Sequence, residues 1–329
     1  MLPEPFRAMD PDDEVGWHAV ADWLEEHDSH ERAELVRLTR LLRNVPRMPD
    51  HERHEDRLRE LLAAGVEPCV ATLTNSLGME FVYVPAGVFL MGSPDDEEER
   101  EENEGPVHEV EITRGFYLGR SPVTQAEYES VMGKNPSGFS TQGDALVVLE
   151  MDARRFPVEK VSHEDALRFC ETLSENTGGW NGTYRLPTEA EWEYSCRSGA
   201  GSKAPFHFGT SLSSTQANFD GNNPYGGAAE GPWLERTCEV NSYPANVFGL
   251  HDMHGNVFEW CADWYGASYY AGSPQQDPTG PVEGSDRVIR GGSWLNDGWL
   301  CRSAVRGFHS PSNRDWYIGF RVAWVPPGE

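Results

Sequence analysis

From Thr72 onward the chain is written in short apolar runs cut by Gly, Pro, Asn and Asp, a grammar of short strands and loops around a few helices. The runs Phe81-Val82-Tyr83-Val84 and Val107-His108-Glu109-Val110-Glu111-Ile112 read as strands. Helices are expected around 124–131 and 163–175, the second carrying Ala166, Leu167, Cys170 and Leu173 on one face. A third opens after Pro187-Thr188, where Thr188 is a natural N-cap and Glu191 completes a capping box. With so little regular structure, the eleven tryptophans must supply much of the buried area.

The first part of the chain follows a different rule. Trp17, Val20, Ala21 and Leu24 fall at helical spacing, as do Leu35, Leu38 and Leu42, and then Leu58, Leu61 and Leu62. Asp28-Ser29 separates the first two helices, and Pro46, Pro49 and Asp50 separate the second from the third. Three amphipathic helices of this size bury only a small core, so the unit is expected to pack on something else. The reading is a helical module over 1–66 followed by a larger domain over 67–329.

Charge restricts the partners. Asp and Glu number 54 against 27 Lys and Arg, a formal net charge of -27, which argues against nucleic-acid binding because phosphate neutralisation requires clustered cations. The run Asp95-Asp96-Glu97-Glu98-Glu99, continued by Glu101, Glu102 and Glu104, reads as a mobile, solvated loop. No window is apolar enough for a membrane helix and the first residues lack the pattern of a secretory signal, so a cytoplasmic location is expected. The six cysteines are scattered and include no C-x-x-C pair, which points to reduced, buried thiols and away from structural zinc.

Five motifs then fall in order: Gly78-Met79-Glu80-Phe81-Val82-Tyr83-Val84-Pro85-Ala86-Gly87 with Met91-Gly92-Ser93, Arg185-Leu186-Pro187-Thr188-Glu189-Ala190-Glu191-Trp192-Glu193-Tyr194, Gly255-Asn256-Val257-Phe258-Glu259-Trp260, Arg290-Gly291-Gly292-Ser293-Trp294 and Ile318-Gly319-Phe320-Arg321-Val322. Together they resemble the sulfatase-modifying-factor family, the formylglycine-generating-enzyme domain, over about 72–325. The resemblance implies an α+β, irregular C-type-lectin-like domain, usually holding calcium. The segments Ala19–Glu26 and Arg32–Leu38 are similar to a short bacterial module, the repeat-companion domain, which implies a bacterial source and assigns no role.

Members of the family have three occupations. Some are copper-dependent oxidases that convert a protein cysteine to formylglycine, some oxidise small molecules with iron held by a His-rich domain, and some only display a binding surface. The copper enzymes need two thiols a few residues apart after the Gly-Gly-Ser motif, because two soft thiolates hold Cu(I). Counting forward from that motif places Asn296 at the first thiol position and Cys301 at the second; aligning backward from Arg306 shortens the loop and leaves neither. Either way the pair is broken, copper is not expected, and Cys301 is the single catalytic candidate left. Cys301 and Cys196 lie in segments that pack together in family members, as two buried thiols or as a disulfide. His18, His27, His30, His51 and His54 lack the spacing of a facial triad, so the iron reading has no support either.

Calcium is better supported. By the resemblance, Asp252 and Glu259 supply side-chain oxygens and Gly255 and Val257 supply carbonyls. A second site would use Asn218 and the Phe219 carbonyl, but the aspartate expected near Gly231-Pro232-Trp233-Leu234 is missing. On this fold Leu295, Asn296, Asp297 and Trp299, with Phe308, His309, Asp315, Trp316 and Tyr317, would crowd one face, and large rigid side chains of this kind suit recognition. The expectation is therefore a non-catalytic binding or regulatory protein that recognises a protein or small ligand within a larger assembly. The alternative is a formylglycine-generating oxidase with a divergent metal site.

Overall fold

The computed structural model describes residues 2–44, 50–145, 148, 150–176, 182–198 and 203–326, so the expected role of Pro46 and Pro49 lies outside the described residues. The three N-terminal helices form as expected: α1 (Glu14–Glu26), α2 (His30–Asn44) and α3 (His51–Ala63). α1 buries Trp17, Val20, Ala21 and Leu24, the residues at helical spacing, and Asp13 caps it by accepting from the Val15 amide. Leu35 and Leu38 of α2 and Leu61 of α3 share an apolar cluster with Val82, Phe89, Val247 and Phe248. The helical unit thus packs on the larger part of its own chain. Polar contacts fasten it as well: Arg32 Nε donates to the Glu67 carbonyl at 3.2 Å and Arg43 Nε to the Ala86 carbonyl at 3.0 Å.

The remainder is α+β. Strands β1 (Thr72–Thr74), β2 (Glu80–Val84), β5 (Phe116–Gly119), β11 (Ala323–Val325) and β6 (Thr183–Arg185) make one antiparallel sheet in that order, while β3 (Gly87–Met91) and β4 (His108–Ile112) pair separately. The last strand lies between β5 and β6, closing the sheet around both ends of the domain. A second sheet has the order β10 (Ile318–Gly319), β7 (Phe258–Trp264), β8 (Arg287–Arg290), β9 (Gly307–His309), with β10 parallel to β7.

Local chemistry sets the helices between them. Thr124 and Glu127 form a capping box on α4 (Gln125–Met132), and Gly133 ends it in left-handed backbone. Thr188 and Glu191 cap α6 (Glu189–Cys196) in the same way, as expected. α5 (His163–Asn176) buries Ala166, Phe169, Cys170 and Leu173 against Tyr128, Trp260 and Phe320. Leu167, expected on the same face, is 37 % exposed.

Candidate functional site

The Gly-Gly-Ser segment leaves β8 through two left-handed glycines, with φ 98° at Gly291 and 73° at Gly292. A Cβ at Gly292 would lie 2.5 Å from Cys301 Sγ, so this glycine lets the following turn fold back onto the cysteine. Asn296 Oδ1 accepts the Ser293 hydroxyl at 2.6 Å, and the Asn296 carbonyl accepts the Asp220 amide at 2.8 Å. Asn296 is thus committed to holding its own loop.

Cys301 is fully buried with Phe206, Leu212, Phe219 and Tyr225, and burial pushes its thiol far above the usual range. Burial likewise pushes Cys196 up to about 12, with its Sγ directed at Ser303 Oγ at 3.4 Å. All six cysteines are free. Cys196 and Cys301 are therefore two buried thiols and not a disulfide.

Below this loop lies a set of fully buried arginines. Arg290 pairs with Glu193 and Arg306 with Glu189, while Glu193 also takes Arg197 at 2.8 Å. Arg302 reaches Glu104 at 2.7 Å and Glu97 at 2.5 Å. This corrects the reading of the acidic run as a mobile, solvated loop, because Glu97 and Glu104 are its anchors in the interior. Buried charges persist only when they are paired and hydrogen-bonded, and these are.

The expected calcium residues fall side by side. Gly255 has φ 81°, and a Cβ there would lie 2.3 Å from the Asn218 carbonyl, which accepts the Asn256 amide at 2.7 Å. Val257 and Phe219 are buried within the same region. Asp252 is 7 % exposed and accepts one backbone hydrogen bond, from Asn241 at 2.9 Å. Burial pushes its carboxyl up to about 6, and the charge on Glu259 acts in the same direction.

Asn218 Oδ1, Thr237 Oγ1 and Asn241 Oδ1 are buried without a hydrogen-bond partner among the described residues. A buried carboxylate, even with the Asn241 amide and the Asn256 side chain as donors, together with orphaned neutral oxygens suits a hard cation. Glu259 fits that role less well. Arg321 contacts both its oxygens, at 2.6 and 2.7 Å, and the Trp192 indole donates to it at 2.7 Å. Among the described residues no group of three or more His, Cys, Asp or Glu could hold a metal, so a cation here would lean on Asp252 and neutral oxygens. Sequence reasoning missed Asn241; its left-handed backbone, φ 65°, was the kind of feature only the fold reveals.

The expected recognition residues divide. Leu295 is 45 % exposed, and its neighbour Trp294 donates its indole N–H to the Trp316 carbonyl at 3.1 Å. Trp316 sets its ring edge to face against Phe139 at 5.4 Å, with Lys160 above it at 5.0 Å. Next to it, His309 meets the Tyr317 hydroxyl at 3.1 Å and Asp315 at 3.8 Å. Asp297 precedes the short 3-10 turn Gly298–Cys301, and Trp299 on that turn leans half-buried toward the Phe206–Tyr225 cluster.

Phe308 stands apart. Neighbouring residues of a strand point to opposite faces, and Phe308 stacks on Tyr265 at 4.2 Å while His309 turns to Tyr317. The single crowded face read from the sequence is therefore two surfaces.

Comparison with known proteins places this geometry. The sulfatase-modifying factor enzyme 1-like domain matches residues 69–326. The formylglycine-generating enzyme of Streptomyces coelicolor is 33 % identical over 309 residues, covering 79 % of this chain and 94 % of that protein. Serine/threonine-protein kinase pkn1 of Chlamydia caviae is 34 % identical over 263 residues, which is 74 % of this chain but only 38 % of the kinase's length. Among solved structures, PvdO from Pseudomonas aeruginosa superposes with a TM-score of 0.64 at 32 % identity, covering 78 % of this chain and 98 % of that one. The chain belongs to the sulfatase-modifying factor enzyme 1-like, or formylglycine-generating-enzyme, domain family.

Proposed function

We propose that this chain is a non-catalytic member of its family, a binding or regulatory protein whose C-terminal loops recognise a protein partner in a larger assembly. The observation that carries the reading is the state of the segment after the Gly-Gly-Ser motif. Asn296 is spent on Ser293 and Asp220, and Cys301 is a buried apolar thiol. The residues there do not fit a two-thiolate copper centre, since an amide oxygen is no substitute for a soft sulfur.

The recognition surface is the contiguous part of the C-terminal loops, from Leu295 and Asp297 through Trp316 to His309, Asp315 and Tyr317. Its aromatic rings are held by packing on Phe139 and by hydrogen bonds within the loops, so little entropy is lost on binding. Calcium at Asp252 is the structural cofactor in this reading, fixing the Asn218 to Glu259 region beneath the loops. The segment is expected to work inside the cell, which is the setting in which free thiols persist.

The 33 % identity to a formylglycine-generating enzyme supports the second reading, an oxidase with a divergent metal site. Partner capture separates the two. The double variant Leu295→Ala, Asp297→Ala should lose capture of a native partner while keeping its fold, because neither side chain is part of the core. Capture equal to that of the unaltered protein would count against the recognition surface.

A further inference from the structure

The aromatic part of the C-terminal loops stands on one buried carboxyl group. Trp294 and Trp316 set their rings edge to face against Phe139, at 5.2 and 5.4 Å, and the Phe139 amide donates to Glu159 Oε1 at 2.8 Å. The Glu159 amide donates in turn to Ser137 Oγ at 3.2 Å, so the 137–139 segment is fastened twice to this one position. Lys160 follows in left-handed backbone, φ 59°. Its amide donates to the Asp315 carbonyl at 3.0 Å, and its ammonium lies 5.0 Å from the centre of the Trp316 ring. Glu159-Lys160 thus joins the loop that carries Phe139 to the loop that carries Trp316.

Glu159 has no exposed surface, and its Oε2 has no hydrogen-bond partner among the described residues. The groups around it leave a charge there uncompensated. Lys160 is drawn outward to Asp144 at 3.1 Å, and the Asp315 carboxylate is turned to Asn313 and His309. From α4 comes the neutral amide of Gln125, bonded to the Phe139 carbonyl at 2.9 Å and to Asn135 at 2.9 Å. A neutral carboxyl with one bare oxygen is tolerated in such a place; an ionised one costs far more, because it is a buried charge without a paired cation. Burial accordingly pushes the carboxyl up to about 7; the Phe139 and Gly138 amides and Lys160 pull it down, and Asp144 adds to the rise.

We propose that Glu159 is a proton switch beneath the recognition surface. With its proton it holds the 137–139 segment, and through Phe139 the rings of Trp294 and Trp316, in the arrangement described. When the proton leaves to solvent, the bare Oε2 draws in water or another donor, and the segment shifts with it. The surface is then set for its partner on the acid side of neutrality and loosened on the alkaline side. That consequence for binding rests on the recognition reading; the switch itself is a property of the free chain.

Fluorine NMR of the full chain grown with fluorotryptophan tests it without a partner, the two signals being assigned from Trp294→Phe and Trp316→Phe. In the unaltered chain both should move together with pH, with a midpoint of about 7. Glu159→Gln keeps an acceptor for the Phe139 amide and cannot ionise, so both signals should stay near their acid-side positions across the same range. A shift caused by a histidine, His309 included, would persist in that variant. Should Glu159→Gln fail to fold, carbon NMR of the glutamate carboxyls in the unaltered chain reads the group directly, and Glu159 should titrate near neutrality. The proposal fails if the two signals do not move with pH, if they move equally in Glu159→Gln, or if Glu159 titrates in the ordinary carboxylate range. Capture by the Leu295 and Asp297 variant remains the test of the surface itself, so the two ideas fail separately.

Discussion

Arg302 and Glu104 meet through two hydrogen bonds, at 2.7 and 2.9 Å, with neither side chain reaching solvent. They are 198 residues apart in the chain, and the contact ties the acidic segment to the loop that follows the Gly-Gly-Ser motif. Burial alone would raise the Glu104 carboxyl, but the Arg302 hydrogen bonds and charge outweigh it and hold it below the usual range.

Replacing Glu104 with Gln leaves the buried Arg302 without its main counter-charge. Breaking such a pair costs about 3–5 kcal/mol, and urea unfolding should register a loss of that order. Because the folded carboxyl lies below its unfolded value, its contribution is present above the ordinary carboxylate range and lost as pH falls through the folded pKa. A loss under about 1 kcal/mol would mean that the pair is a surface contact in solution.

The calcium assignment predicts a pH dependence of stability that calcium removes. In chelator, burial holds the folded Asp252 carboxyl up at about 6, above the ordinary aspartate range, so stability should decline as pH rises from that range through about 6. Calcium should remove the decline, and at about a hundredfold excess over its Kd should add about 2.7 kcal/mol. Scanning calorimetry with and without chelator reads both effects. Asp252→Asn should abolish the calcium response; a response that survives would place the ion elsewhere.

The thiols should be silent. Cys196, Cys261 and Cys301 are fully buried and their thiols are pushed up by burial, so iodoacetamide should leave them unmodified in the native protein and label them after unfolding. Rapid native labelling of Cys301, read by mass spectrometry, would show a reactive centre that this account does not contain.

What could be read from the sequence follows the range of the interactions. The helices and their boundaries were legible because capping is local: Thr124 with Glu127 and Thr188 with Glu191 are each three residues apart. Sheet order was not legible, since β11 finds its place between β5 and β6 only through pairings across most of the chain. The acidic run was misread for the same reason, because the partner of Glu97 and Glu104 is Arg302. Phe308 and His309 were grouped as neighbours in sequence, and the strand alternation that parts them appears only once β9 pairs with β8. Asp252 and Glu259 were found together, but the charge of Glu259 is taken by Arg321 from the last of the five motifs.

The central claim is that the segment from Ser293 to Arg306 no longer performs thiol oxidation. The direct measurement is to incubate the full chain, supplied with copper, oxygen and an excess thiol reductant, with a cysteine-containing peptide, and to follow the peptide by mass spectrometry. The account predicts that the cysteine persists, and that Cys301→Ser changes nothing in the peptide. Conversion of the cysteine to formylglycine, lost in Cys301→Ser, would contradict it.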